Sequence, residues 1–363
     1  MAQQSKTWQI KFILHCQKDY FMQKIYAIVF DSQHIINYEI VMLFHLLVQL
    51  RNQKVRILMK SVNFVILGEQ SIANDFGKKG TVTDLTLYDR KESDIIRTWI
   101  APNGFPEKIQ PLFQAIYIAE YVILYVASLD KFTGEQIIAL DSLGKKEGIL
   151  AHSYDVDETR LDTMIKGTVL EHYKKVDSSN IKEEISKFPI ISKDGPAQIA
   201  IDHCFDVKGV GTVALGKVIS GKVSQYDKLF HLPSKTEVLV KSIQMHDDDV
   251  KESVSPARDG LSLKNIKPED ISRGDILSAD ESLKTVSELS LDFKQNQFYK
   301  NSISENEMCL VCVGMQIKAG KFQSVSPVKL TLDKPITILP HDVCVLLKPE
   351  SQSVRIIGSG KIQ

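Results

Sequence analysis

Two hydrophobic rhythms divide the chain. Val62–Leu67 is a continuous apolar run, the pattern of a strand covered on both faces. Ile95–Ile100, Tyr121–Ala127 and Gly148–Ala151 read as further strands. Between them, Pro106–Glu120 and Thr133–Leu143 carry apolar residues at helical spacing. Thr133 is placed to cap the second helix, with Gln136 three residues on at the position a capping box needs. Strands alternating with helices predict a parallel sheet with helices on both faces. A looser polar stretch, Lys174–Gly195, ends this rhythm.

Near Ala197 the pattern changes to short β-rich runs. In Lys208–Val223, glycines at 209, 211, 216 and 221 punctuate apolar alternation, which reads as strand, tight turn, strand. Alternation continues through Tyr226–Phe230, Val238, Val240 and Ile243, and this spacing predicts a small closed barrel. After Asp280 the strand-like runs are Leu289–Phe293, Met308–Ile317, Val328–Leu332, Val343–Leu347 and Arg355–Ile357, a second all-β domain. Cys309 and Cys312 form a CxxC inside one of these runs. Residues three apart on a strand face opposite sides, so both thiols are read as buried structural groups and not as a metal grip.

Residues 1–58 contain no Gly and no Pro. Their most apolar run, Ile40–Leu50, is shorter than the roughly 20 residues of a membrane span and is interrupted by His45 and Gln49. It lies too far from the start for a signal peptide, and no small-residue cleavage site follows. Two readings stay open: a helical extension that packs on the body, or translated upstream sequence with Met59 as the real start. The second is preferred.

Composition narrows the function classes. Lys and Arg number 45, as do Asp and Glu, so no global basic field points to DNA, and any RNA contact must be a local patch. Five scattered cysteines, an odd number, point to a reducing compartment and a cytoplasmic location. The nine histidines show no metal-ligand spacing, and no catalytic residue is assigned.

Six pieces in order resemble the second domain of translational GTPases of the EF-Tu family. They are Asp206–Val213, Gly216-Lys217-Val218, Gly221-Lys222-Val223, Ser242–His246, the turn Pro256–Gly260, and Ile271–Leu277. Within the last, Arg273-Gly274-Asp275 is read as a barrel turn and not as an adhesion signal. The closing residues Arg355–Ile362 resemble the end of the third domain in EF-Tu and SelB-type factors. Gly77–Thr81 with Leu87-Tyr88, Thr133–Glu135 with Ile137–Asp141, and Gly167–Leu170 are similar to the archaeal SelB-like group of EF-Tu-like factors, the EF-Pyl type. The resemblance covers roughly Met59–Gln363. It implies a P-loop-NTPase-like α/β domain over 59–194, degenerate here, followed by β-barrels over 195–283 and 284–363.

The resemblance also implies GTP with magnesium as cofactor, but the required residues are missing. A P-loop needs Gly-x4-Gly-Lys-[Ser/Thr], whose amides and Lys hold phosphates and whose hydroxyl holds magnesium. Here Gly68 is followed by Ala73, Asn74 and Asp75 at the decisive positions. Ala101-Pro102-Asn103-Gly104 replaces Asp-x-Pro-Gly, and Phe105 stands where the family has its catalytic His. His152-Ser153-Tyr154-Asp155 replaces Asn-Lys-x-Asp. Gly68 and Asp155 are the remnants of the nucleotide site. Three lost charge-assisted contacts, at about 1.5–3 kcal/mol each, amount to roughly 5–9 kcal/mol, or four to six decades of affinity. No bound cofactor is therefore expected. Lys208, Lys217, Lys222 and Arg258, expected near turns of the first barrel, are the candidates for tRNA phosphates. The expected function is an elongation-factor paralogue acting on aminoacyl-tRNA or the ribosome with impaired GTP binding. An active GTP-binding factor with an unusual loop and a protein-interaction scaffold on the same fold are the alternatives.

Overall fold

The computed structural model describes residues 59–363; the expectations for residues 1–58 lie outside the described residues. The first sheet contains β1 (Lys60–Gly68), β2 (Lys78–Val82), β3 (Thr86–Glu92), β4 (Ile95–Ala101), β5 (Tyr121–Val126), β6 (Gly148–His152) and β7 (Lys174–Lys175). Their order is β2-β3-β4-β1-β5-β6-β7. The strands from β4 to β7 in that order are parallel, while β2 and β3 add an antiparallel edge. The helices are α1 (Gln110–Ile118), α2 (Lys131–Ser142), α3 (Glu158–Ile165) and α4 (Ile181–Ser186).

Alternation along β1 explains why its run is apolar throughout. Val62, Phe64 and Ile66 join Trp99, Tyr121, Ile123 and the α4 residues Ile181 and Ile185 in one core. Val65 and Leu67 face the other way, into a core shared with α1 and α2. Paired registers set Trp99, Phe64 and Tyr121 side by side across three strands, with Phe64 ring centroids 6.2 Å and 5.6 Å from its neighbours.

Three local expectations need correcting. Asp130, not Thr133, caps α2: its carboxylate accepts from the Phe132 and Thr133 amides at 2.8 and 2.9 Å, while the Thr133 hydroxyl donates back to the Ser128 carbonyl at 2.7 Å. An ionised acceptor at this end also suits the helix dipole. The first helix begins at Gln110 and not at Pro106, with Pro111 in its first turn, where a missing N–H costs nothing. Met308–Ile317 is not one strand, because a hairpin at Gly314, with φ +61°, splits it.

The first barrel is built from β8 (Gln198–Val207), β9 (Gly211–Ser220), β10 (Lys222–Ser224), β11 (Lys228–Leu232), β12 (Thr236–Met245), β13 (Asp248–Val250), β14 (Glu252–Val254), β15 (Arg258–Lys264) and β16 (Ile276–Ser278). Its main circuit runs β11-β16-β8-β9-β15-β12, and pairing of β11 with β12 closes it; β10 and β14 form a separate ribbon. The second barrel comprises β17 (Thr285–Gln295), β18 (Met308–Val313), β19 (Gln316–Val325), β20 (Val328–Thr337), β21 (Val343–Leu347) and β22 (Ile356–Ile362). It closes in the order β17-β20-β19-β18-β21-β22. On β18, Cys309 enters the barrel core and Cys312 the core shared with the α/β domain, on opposite faces.

Charged links bind the barrels to the α/β domain. Arg355 forks onto Glu135 of α2, with its terminal nitrogen 2.6 Å from Oε2, and also donates to the Pro106 carbonyl at 2.7 Å. Arg273, in the turn before β16, donates to Asp84 at 2.6 Å and to the Asp202 carbonyl at 2.9 Å. Among the described residues no helix is long and apolar enough to cross a membrane.

Candidate nucleic-acid interface

The candidates Gly68 and Asp155 lie at the carboxyl ends of parallel strands, Gly68 closing β1 and Asp155 three residues after β6, where open α/β sheets bind ligands. Gly68 has φ +76°, and a Cβ there would come within 1.9 Å of the Tyr125 carbonyl oxygen. The chain then closes into a 3-10 turn over Gln70–Asp75. The Glu69 carboxylate accepts from the Ser71 amide at 3.1 Å, and the Phe76 and Gly77 amides bond to the Ala73 carbonyl at 3.1 and 3.3 Å. Ala73 itself is buried. Asp155 is exposed, and a hydrogen bond from Ser153 holds its carboxyl below the usual range.

The first barrel presents a different site. The register pairs Phe205 with Val213, Val213 with Ser262 and Ser262 with Ser242, a continuous row across β8, β9, β15 and β12. A second row runs Leu215, Gly260, Gln244. Both rows face outward, since the intervening Ala214, Leu261 and Ile243 fill the barrel core. The outward face forms a groove of about 370 Å³, walled on one side by Asp89, Ile96 and Thr98 of the α/β domain.

Three properties give this groove its chemistry. Phe205 and Val210 are 37% and 40% exposed, leaving apolar surface open where a soluble barrel normally shows polar residues. Gly260 keeps the floor low: a Cβ there would sit 3.3 Å from Leu215. The Ser262 hydroxyl is buried in the groove wall without a hydrogen-bond partner among the described residues. His203 stands beside Phe205 with ring centroids 5.4 Å apart, and Gln244 and His246 line the groove. An aromatic ring and an apolar floor suit a planar base, while the Gln244 amide nitrogen donates to Asp249 at 2.9 Å and leaves its oxygen for a base edge.

The four basic candidates do not converge. Arg258 alone reaches the groove, and its guanidinium is held by the Asp202 carboxylate, with Nε 2.9 Å from Oδ2. Lys217 is not near a turn. It lies in the middle of β9, is 8% exposed, and bonds to Glu120 of the α/β domain, because its strand face packs against that domain. Lys222 is exposed on the β10–β14 ribbon and pairs with Glu252 at 3.1 Å. Lys208 is exposed in the tight β8–β9 turn. The groove residues Phe205, Val210, Leu215 and Ser262 escaped the sequence reading. Their signal was present as apolar residues on the outward phase of the Phe205–Leu215 alternation, which barrel prediction alone treats as surface.

The Elongation factor Tu domain 2 family model matches residues 211–278, the segment carrying three of the four groove strands. An uncharacterized protein of Methanocaldococcus jannaschii is 34% identical over 298 residues, covering 81% of this chain and 96% of that protein. The selenocysteine-specific elongation factor of the same organism is 32% identical over 169 residues, 46% of this chain and 31% of that factor. Among solved structures, translation elongation factor SelB from Methanococcus maripaludis, in complex with the GTP analogue GPPNHP, superposes with a TM-score of 0.71. That match covers 84% of this chain and 79% of SelB at 19% identity, a likeness of fold.

Proposed function

The chain belongs to the EF-Tu/SelB-like family of translational GTPases, and on that premise we propose that it is an elongation-factor paralogue that takes the end of an aminoacyl-tRNA in the groove of its first barrel without GTP. The observation that carries this reading is the outward face of β8, β9, β15 and β12, where Phe205, Val213 and Leu215 offer an apolar bed beside Ser262 and Gln244. A terminal adenosine stacks on such a surface and hydrogen-bonds at its edge. Relatives named as elongation factors support a role in translation.

The turn after Gly68 supports the loss of nucleotide. A triphosphate needs amides that point outward and a cation beside them. Here the Ser71 amide is taken by the Glu69 carboxylate, and the Phe76 and Gly77 amides by the Ala73 carbonyl. An anion at this place would meet Glu69 and Asp75 in place of a lysine. These residues do not fit GTP with magnesium, so no hydrolytic step is assigned to the chain.

Lys208 and Lys222 lie outside the groove on exposed positions, and a tRNA phosphate at Lys222 would compete with Glu252 for its ammonium. Each phosphate contact steepens the fall of log affinity with log salt by about 0.7–0.9. Titration of the full chain with aminoacyl-tRNA at several salt concentrations tests the proposal. Phe205→Ala is expected to weaken binding by about one to two decades, since stacking on one aromatic contributes about 1–3 kcal/mol. Changing Lys208 and Lys222 together to Ala is expected to flatten the salt slope. Binding that ignores salt and both changes would remove the barrel from the tRNA role and leave an interaction scaffold.

A further inference from the structure

The barrel groove holds a group that the folded chain leaves unsatisfied. Ser262 of β15 lies on the outward row, with Val213 of β9 paired to it on one side and Ser242 of β12 on the other. It is 4% exposed, and its hydroxyl has no hydrogen-bond partner among the described residues. A hydroxyl buried this way loses its hydration and gains nothing in return, so folded chains keep few of them. A small apolar residue here would continue the bed of Phe205, Val213 and Leu215 without that cost.

Three polar groups that share the groove are engaged. The Thr98 hydroxyl donates to the Asp89 carboxylate at 2.6 Å, the Gln244 amide nitrogen to Asp249 at 2.9 Å, and Arg258 Nε to Asp202 at 2.9 Å. Ser262 differs in having nothing to release. When a ligand bonds to an ordinary polar side chain it displaces a bond to water, and most of the gain cancels. The Ser262 hydroxyl is closed off from water in the free chain. A ligand that brings it a partner keeps more of the new bond, and a ligand of the same shape without a partner gains nothing. The hydroxyl sits on a one-bond stem, so a turn about Cα–Cβ swings it towards the groove, where it can donate or accept. Gly260, two residues earlier on the same outward face, keeps the floor low beside it.

We propose that Ser262 is the specificity-determining residue of the groove. It selects a terminal base whose edge carries hydrogen-bonding groups, the amine and ring nitrogens of adenine, over a base of equal shape that lacks them. The inference rests on the groove taking the end of a tRNA, as proposed above. The apolar bed holds any flat ring by stacking, and the hydroxyl adds the selection.

Titrating the full chain with aminoacylated RNA stem-loops that differ only in their terminal base tests this. One ends in adenosine; the other ends in a methylindole nucleotide, which copies the shape of adenine without its amine and edge nitrogens. The chain is expected to bind the adenosine end about tenfold more tightly, and Ser262→Ala is expected to bring the two within about twofold. Ser262→Ala is also expected to leave the thermal midpoint unchanged or higher, because it removes a hydroxyl without a partner. Equal binding of the two RNAs by the unchanged chain, a midpoint that falls, or a preference that survives Ser262→Ala overturns the inference. If Phe205→Ala still weakens both RNAs in that case, the groove keeps its tRNA role and only the selection by Ser262 is lost. Binding that ignores Phe205→Ala, or no binding of either RNA, removes the tRNA role of the groove and this inference with it.

Discussion

Single buried charges fix how the parts of this molecule meet. Arg355 and Glu135 are 220 residues apart and bond through the Arg355 backbone amide at 3.0 Å as well as through the guanidinium. Glu135 is 2% exposed, so removing its partner leaves a carboxylate with no water to solvate it. Arg355→Met is expected to cost about 3–5 kcal/mol in urea denaturation, and adding Glu135→Gln is expected to return much of that. Asp259 behaves in the opposite sense: it is buried, the Ser253 hydroxyl only partly offsets the loss of water, and burial pushes its carboxyl up to about 7. The folded chain therefore holds a proton that the unfolded chain releases near pH 4, so this group's stabilisation is present at low pH and is lost as pH rises towards 7. Asp259→Asn is expected to flatten that fall and to raise stability at pH 8 by about 1–3 kcal/mol. Neither residue could be singled out from the sequence. Glu135 stood in a motif without its partner, and Asp259 in what read as a turn, because burial of a charge depends on strands distant in the chain.

At the scale of elements, hydrophobic period was enough to place β1, β4, β5 and β6, whose runs are buried on both faces. It was not enough for β2 and β3. Lys78-Lys79-Gly80 and Asp89–Glu92 are polar because they form the sheet's edge hairpin, where charge discourages further pairing. The short helices α3 and α4 were also missed; α4 buries only Ile181, Glu184 and Ile185, too few positions for a periodic signal. The turn after β1 was legible as an absence of Gly-Lys-Ser/Thr, but its closure on Glu69 was not. Gly68 holds that turn in place, and Gly68→Ala is expected to cost about 2 kcal/mol or more in thermal unfolding, because both its positive φ and the Tyr125 carbonyl oppose a Cβ.

Across the whole molecule, three domains in family order present one open apolar groove on the first barrel, beside an α/β domain whose phosphate turn is closed on itself. The central claim is that the groove works without the nucleotide. The direct measurement is the rate of spontaneous aminoacyl-ester hydrolysis on tRNA in the presence of the full chain, with and without magnesium GTP. The account predicts protection that is the same in both conditions and is lost in Phe205→Ala. Protection that appears only with magnesium GTP, or that survives Phe205→Ala unchanged, would contradict it.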